Sequence, residues 1–198
     1  ITGSNFRSAL SVKFVDKNLG GVFPLEIIIE TDRERGLLDP ELLFKVEEFQ
    51  DSIKKIYSIG SAKSYTDIFK VFNKEFNDQY SLPTSYDDII SYTAIDEEAF
   101  NAFILSNHKK GKITCRAIAG KTSDADNTKK IVQQLATKIL PQDCKVAVSG
   151  SIIVMLKSNK YMVQNLMTSF IVASIVIFFS MMFLFGSKRL ALLAILPN

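Results

Sequence analysis

Hydrophobic positions along the chain change period more than once. Over residues 23–30, FPLEIIIE, they alternate, which predicts a strand with Leu25, Ile27 and Ile29 on one face. From Asp39 onward the spacing lengthens. Leu42, Val46, Phe49, Ile53 and Ile56 recur at intervals of four and three, the apolar stripe of a helix lying on a sheet. Asp39-Pro40 opens that helix, with the aspartate as cap and the proline in the first turn. The same reading predicts a second strand at 57–63 and a helix over about 67–76, with Phe69, Phe72 and Phe76 on one side. Leu82-Pro83 breaks the chain before two short helical pieces near 86–92 and 97–105. The turn 108–112, HKKGK, leads into a strand at 113–119. Ser123 or Asp124 caps the next helix, whose stripe is Ile131, Leu135 and Ile139 with Val132 beside it, and Pro141 ends it. A last strand at 146–149 passes through Gly150 into a final helix. Residues 1–18 show no clean period and read as extended, with a turn at Gly20-Gly21.

After residue 160 the period vanishes. Residues 161–187 carry no charged side chain, and Lys188-Arg189 closes the run. Its core, 166–185, is apolar on every side, and twenty helical residues reach roughly 30 Å, the thickness of a bilayer's hydrocarbon. A soluble domain of this size has little use for such a helix, so the run predicts a membrane span. The apolar stretch from Leu190 to Pro197 is too short to span and reads as the start of a second membrane helix. With a first residue other than Met, the sequence reads as a piece of a longer membrane protein.

The element order is strand, helix, strand, helical insertion, strand, helix, strand. Without the insertion this is β-α-β-β-α-β, an α+β fold of the ferredoxin-like, split βαβ kind, followed by a transmembrane helix. The expected organisation is an extended lead-in over 1–22, an α+β domain over 23–150 with its insertion at about 65–106, a linker and membrane helix over 151–187, and a turn with the next helix from 188. Lys188-Arg189 favours a cytoplasmic turn, which places residues 1–160 outside the cytoplasm, although Lys157 and Lys160 flank the other end.

Charge narrows the function classes. All 21 acidic residues lie at or before Asp143, and 22 of the 24 basic residues at or before Lys160, so the first 160 residues carry 22 − 21 = +1. A nearly neutral, mixed surface lacks the basic face that nucleic acid requires. The two cysteines, Cys115 and Cys144, make no disulfide framework; they read as buried thiols or as one pair in an oxidising compartment.

No catalytic constellation emerges. The single histidine, His108, lies among lysines and reads as a solvated loop residue. Neither a P-loop nor a dinucleotide fingerprint is present. Residues 123–127 begin like a calcium loop, but Lys129 and Leu135 fall where its glycine and glutamate belong. Asp87-Asp88 and Asp96-Glu97-Glu98 read as solvated helix surface. No cofactor or metal is expected. HKKGK reads as a plain loop, or as a contact for lipid headgroups or an anionic cargo. Phe69, Phe72 and Phe76 read either as packing of the insertion or as a surface for an apolar substrate. In the span, Ser169, Ala173 and Ser180 form a face of small residues, at offsets of four and seven, on which a neighbouring helix packs closely.

Several short motifs together resemble one superfamily. GGVFPL at residues 20–25 resembles the start of the first porter lobe in resistance–nodulation–division (RND) transporters, and Val148-Ser149-Gly150 resembles the end of its last strand. Ser169 in an apolar helix, then FGSKR at 185–189, then Leu193 through LPN at 196–198 resemble the second transmembrane helix, its cytoplasmic turn and the start of the third. The branch most similar is the MMPL-type or predicted-exporter group. The resemblance implies about twelve helices, a second porter lobe, location in the cytoplasmic (inner) membrane, and proton-driven export of a lipid or other hydrophobic or amphipathic substrate. It implies as partners the remaining helices, the second lobe, membrane lipids and the substrate, and it admits a homo-oligomer. Coupling acids would lie in a fourth helix beyond this sequence. A protein-translocation accessory of the SecD/SecF kind and a sterol- or lipid-sensing receptor share the general architecture and stand as alternatives.

Overall fold

Strand β1 (Phe23–Thr31) lies inside the sheet, flanked on both sides, and its alternation gives it one buried face. Leu25, Ile27 and Ile29 are fully buried on one face, whereas Glu26, Ile28 and Glu30 are half-exposed on the other. The computed structural model describes residues 7–105, 107–118 and 125–186. Contacts divide the chain into two compact units, one ending at Val154 and one beginning at Met155.

Within the first unit, β1 is followed by a single 3-10 turn (Gly36–Leu38), α2 (Pro40–Lys54), β2 (Ile59–Lys63), three insertion helices α3 (Tyr65–Asn77), α4 (Tyr86–Ile95) and α5 (Glu97–Asn101), β3 (Lys110–Ala117), α6 (Ala125–Ile139) and β4 (Cys144–Ser149). The sheet order is β2-β3-β1-β4, and every neighbouring pair is antiparallel. β1 and β2 therefore run parallel with β3 between them, and β3 and β4 run parallel with β1 between them. Two βαβ units are interleaved, which is the split βαβ plan expected from the element order. The helices α2 and α6 pack on each other, and Leu42, Leu43, Val46, Phe49 and Ile53 of α2 are fully buried with the inner residues of β1 and β3. Full burial of one such side chain contributes about 1.5–3 kcal/mol.

Several sequence boundaries move, each for a visible reason. The extended lead-in is corrected: α1 occupies Arg7–Leu19 and stops at Gly20, whose φ of +74° suits a left-handed helix end. Its apolar residues fall on two sides, with Val12 and Val15 half-buried and Leu10 and Phe14 exposed, so no single stripe was visible. The turn expected over HKKGK ends before Lys110, because Lys110, Gly111 and Lys112 pair with Glu30, Ile29 and Ile28 of β1. Lys110 Nζ lies 3.0 Å from Glu30 Oε1 and Lys112 Nζ 3.2 Å from Glu26 Oε1, so two of the lysines are cross-strand ion-pair partners. Helix α3 starts at Tyr65 because Ser64 and Asp67 form a reciprocal capping box. Helix α5 ends at Asn101, and Ile104 instead bridges to Gly111. β2 begins at Ile59 and β4 at Cys144. Ser123 and Asp124, expected to cap α6, lie outside the described residues, as does everything from Ser187 onward.

One polar clamp ties the end of β1 to α2 and to the start of β4. Arg33 Nε donates to Asp143 Oδ2 at 2.6 Å and Nη1 to Asp39 Oδ1 at 3.3 Å, while Asp39 also caps α2 by accepting from the Leu42 N–H. The hydrogen bond from Arg33 holds the Asp143 carboxyl below the usual carboxylate range. A lowered folded pKa means that the stabilisation is present above the ordinary range and is lost as pH falls through the lowered value. Both groups face solvent, which limits the contribution to about 1 kcal/mol. Asp143→Asn should therefore lower the melting temperature by about 2–4 °C at neutral pH, and the difference should vanish near pH 2. Equal melting at neutral pH would remove the clamp from the account.

Helix α7 (Ser151–Phe185) starts at the end of the first unit and supplies most of the described part of the second; it has the length and apolarity to cross a membrane over Ile153–Leu184. Its 35 residues reach roughly 52 Å, well beyond the hydrocarbon core, so part of the helix lies outside it. Lys157 and Lys160 place that outer part at the N-terminal end. Hydroxyls of Thr168, Ser174 and Ser180 donate to the carbonyls of Gln164, Phe170 and Val176 at 2.8–2.9 Å, so these polar groups need no water.

Candidate functional site

The insertion places its aromatic side chains in one file. Phe69, Phe72 and Phe76 recur on one side of α3. Its start is fixed by Ser64 and Asp67, and its end by Asp78, which takes the left-handed conformation at φ 55°. Rings from α4 and α5 meet them. Tyr92 stacks on Phe72 at 5.9 Å and on Phe76 at 5.5 Å, and Phe100 lies 6.1 Å from Phe72, with interplanar angles of 16–22°. Phe69 continues inward, 4.6 Å from Phe100, and Tyr65 ends the file 6.2 Å from Phe69.

Depth separates the three phenylalanines. Phe69 is fully buried and belongs to the core rather than to any surface, which corrects its place in the expected trio. Phe72 is half-buried, and Phe76 is 56 % exposed. The surface face is thus Phe76 with the edge of Phe72, held from behind by Tyr92. Polar contacts fix that backing ring. Asn77 Nδ2 donates to Tyr92 Oη at 3.0 Å and to Asn73 Oδ1 at 2.8 Å, and Asn73 Nδ2 donates to the Ser81 carbonyl at 2.9 Å. Stacked rings cost little entropy to hold and present flat apolar area, the kind of surface an acyl chain or ring can lie on. Tyr92 and Phe100 were missed in the sequence. Tyr92 follows Ile89 by three positions on the buried side of α4, and that spacing was the available signal.

The remaining candidates sit elsewhere. His108 is half-buried at φ 55°, and its carbonyl accepts from the Leu37 N–H at 2.7 Å. Cys115 and Cys144 are free thiols. They lie opposite Leu25 and Thr31 of β1, six positions apart, or about 20 Å at a strand's rise, well beyond disulfide reach. Burial pushes the Cys115 thiol up to about 12, and burial together with Asp143 raises Cys144, so neither is a thiolate nucleophile at neutral pH. Tyr65 Oη is fully buried with no hydrogen-bond partner among the described residues, and that burial raises its pKa. Among the described residues no group of three or more His, Cys, Asp or Glu is placed to hold a metal ion. On α7, Ser169, Ala173 and Ser180 are all exposed on one face of the helix.

The later part of the lobe and the apolar helix fall within one family pattern. The family model described as MMPL family matches residues 47–197, from within α2 through the whole of α7. The chain belongs to the MMPL family. A search of curated proteins gives no match. MMPL members are membrane-integral transporters of the RND type, so membership supplies what the fold alone could not: it gives a reason for a helix, α7, long and apolar enough to cross a membrane, and it implies other transmembrane segments of the same protein. The resemblance to RND transporters drawn from VSG and FGSKR agrees with that membership, while GGVFPL at 20–25 lies before the matched residues.

Proposed function

We infer that this MMPL chain supplies a porter lobe and a transmembrane helix to a proton-driven exporter of lipid or another hydrophobic or amphipathic substrate in the cytoplasmic membrane. The observation that carries the reading is the MMPL match running unbroken from the split βαβ lobe into the apolar helix. In this reading residues 1–160 lie outside the cytoplasm, and the lobe works against a similar second lobe. The Phe72 and Phe76 face meets the apolar part of the cargo while the charged surface around it stays hydrated. The Ser169, Ala173 and Ser180 face receives a neighbouring helix of the bundle. Residues 161–185 hold no charged group, so proton coupling belongs to other helices, and α7 passes motion rather than charge.

The test is export of a fluorescent lipid by the full-length protein in proteoliposomes with an imposed proton gradient. Phe76→Ser should cut the export rate about three- to tenfold, the value of one or two lost apolar contacts, and shift the melting temperature by less than about 2 °C, because Phe76 is exposed. Export that survives collapse of the gradient would overturn the proton-driven reading. An unchanged rate in Phe76→Ser would remove the aromatic face from the path.

A further inference from the structure

A second concavity lies on the insertion, apart from the exposed aromatic face. It is a cleft of about 290 Å3 between α4, α5 and the loop before β3. Its walls divide by chemistry. Ile90 and Ala94 of α4, with Phe100 and Ile104 behind them, make an apolar floor. Phe100 and Ile104 are almost wholly buried, so this floor is part of the folded core and is preformed. Thr93, Glu97, Asn101 and His108 supply the polar part of the lining. The His108 backbone is held by the Leu37 N–H at 2.7 Å, and Gly36 beneath it leaves no room for a side chain, since an added Cβ would lie 2.2 Å from the His108 carbonyl oxygen. The Thr93 hydroxyl donates to the Ile89 carbonyl at 2.8 Å, which aligns it to accept from a ligand.

The charge of the lining selects the ligand. Glu97 is its one carboxylate, and it makes no ion pair among the described residues. Asp96 and Glu98 flank it, and residues 65–105 carry eight acidic side chains against two lysines. Among the described residues His108 is the sole lining group able to carry positive charge. The volume sits at the lower limit of ligand pockets, about 300 Å3, which excludes a two-chain lipid and suits a small molecule. We propose that this cleft binds a small alkyl- or arylalkylammonium, its apolar body on Ile90 and Ala94 and its ammonium donating to Glu97 and to the Asn101 side-chain carbonyl. The site stands on its own geometry and does not require transport.

The probe is 4-fluorophenethylammonium, followed by fluorine NMR with the full chain in detergent. Binding should saturate, be displaced by unfluorinated phenethylammonium, and exceed that of 4-fluorophenylpropionate at least tenfold. Glu97→Gln should weaken it about tenfold or more, as expected when a charge-assisted hydrogen bond is lost. Ala94→Phe, at an exposed position on the cleft wall, should abolish it while leaving the melting temperature unchanged. Non-saturating broadening, equal binding of the carboxylate, or undiminished binding in Ala94→Phe would each overturn the site. Loss in Ala94→Phe with no change in Glu97→Gln would overturn the ammonium assignment. Export assays do not enter this test, so its failure and that of the exporter reading are separable.

Discussion

Gly60→Ala should lower the melting temperature of the chain by about 10 °C, the largest single effect expected in the lobe outside its apolar core. Gly60 sits at the irregularity of β2, where the register to β3 shifts between Ile59 and Ser61. A Cβ there would lie 2.0 Å from the Gly20 carbonyl oxygen and 2.6 Å from its carbon. Both are backbone atoms, and Gly20 is itself held at φ +74° just beyond the end of α1. Nothing can rotate away, so the strand or α1 must move, at a cost of about 3 kcal/mol or more. Gly111→Ala makes the paired comparison. Its nearest obstacle is Leu37 Cδ1 at 2.6 Å, the tip of a flexible side chain, and the Phe103 carbonyl oxygen follows at 3.1 Å. That variant should cost about 1–2 kcal/mol. The measurement is thermal unfolding of both variants in detergent, with hydrogen exchange on β2. If Gly60→Ala melts no lower than Gly111→Ala, the close approach of α1's end to β2 is not a constraint on the fold.

The contrast between those two glycines shows where the sequence was informative and where it was not. β1 and α2 were legible because each buries one face: Leu25, Ile27 and Ile29 at period two, and Leu42, Val46, Phe49 and Ile53 at helical spacing. Their order, with the later strands, was enough for the split βαβ plan. Helix α1 was not legible, because it divides its apolar residues between two sides and so shows no stripe. Depth was not legible either. Phe69 and Phe76 share a helical side, yet one is sealed and the other exposed, because α3 runs off the edge of the core. Rings that complete the aromatic face, Tyr92 and Phe100, lie on other helices, and periodicity within α3 cannot report them. The cleft under His108 joins α4, α5 and the loop before β3, so composition alone gave a solvated loop. The lysines of HKKGK make the same point in reverse: a run that reads as a free basic turn contains two residues committed to Glu26 and Glu30 across the sheet.

Gln50→Leu should destabilise the lobe by about 3 kcal/mol, although the substitution places an apolar residue in an almost fully buried position. Gln50 lies on α2 with every hydrogen-bonding site of its amide in use. Its Nε2 donates to the Ala62 carbonyl at 3.2 Å and to Asp67 Oδ2 at 2.8 Å, while Oε1 accepts from Ser64 Oγ and from Thr66 Oγ1. Asp67 is also the residue that completes the capping box of α3 by accepting from the Ser64 N–H at 3.0 Å. One side chain therefore joins α2, the end of β2 and the start of the helix that carries the aromatic face. Leucine removes the donor for Ala62 and the acceptor for two buried hydroxyls, and each orphan costs about 1–3 kcal/mol. Gln50→Glu separates this account from simple loss of shape. It keeps the volume and the acceptor but turns an oxygen toward the Ala62 carbonyl and Asp67, so the carboxyl is favoured in its protonated, donating form and its folded pKa rises. A raised folded pKa adds stability at low pH that is lost as pH rises through the unfolded value, about 4.3, to the folded one. Gln50→Glu should therefore recover toward the parent below about pH 4, relative to its deficit at neutral pH, whereas Gln50→Leu should show no such recovery. Unfolding of both variants from about pH 3 to about pH 8, each referred to the parent at the same pH, decides it. Parallel curves for the two would mean that packing, not the hydrogen-bond network, holds the insertion to the sheet.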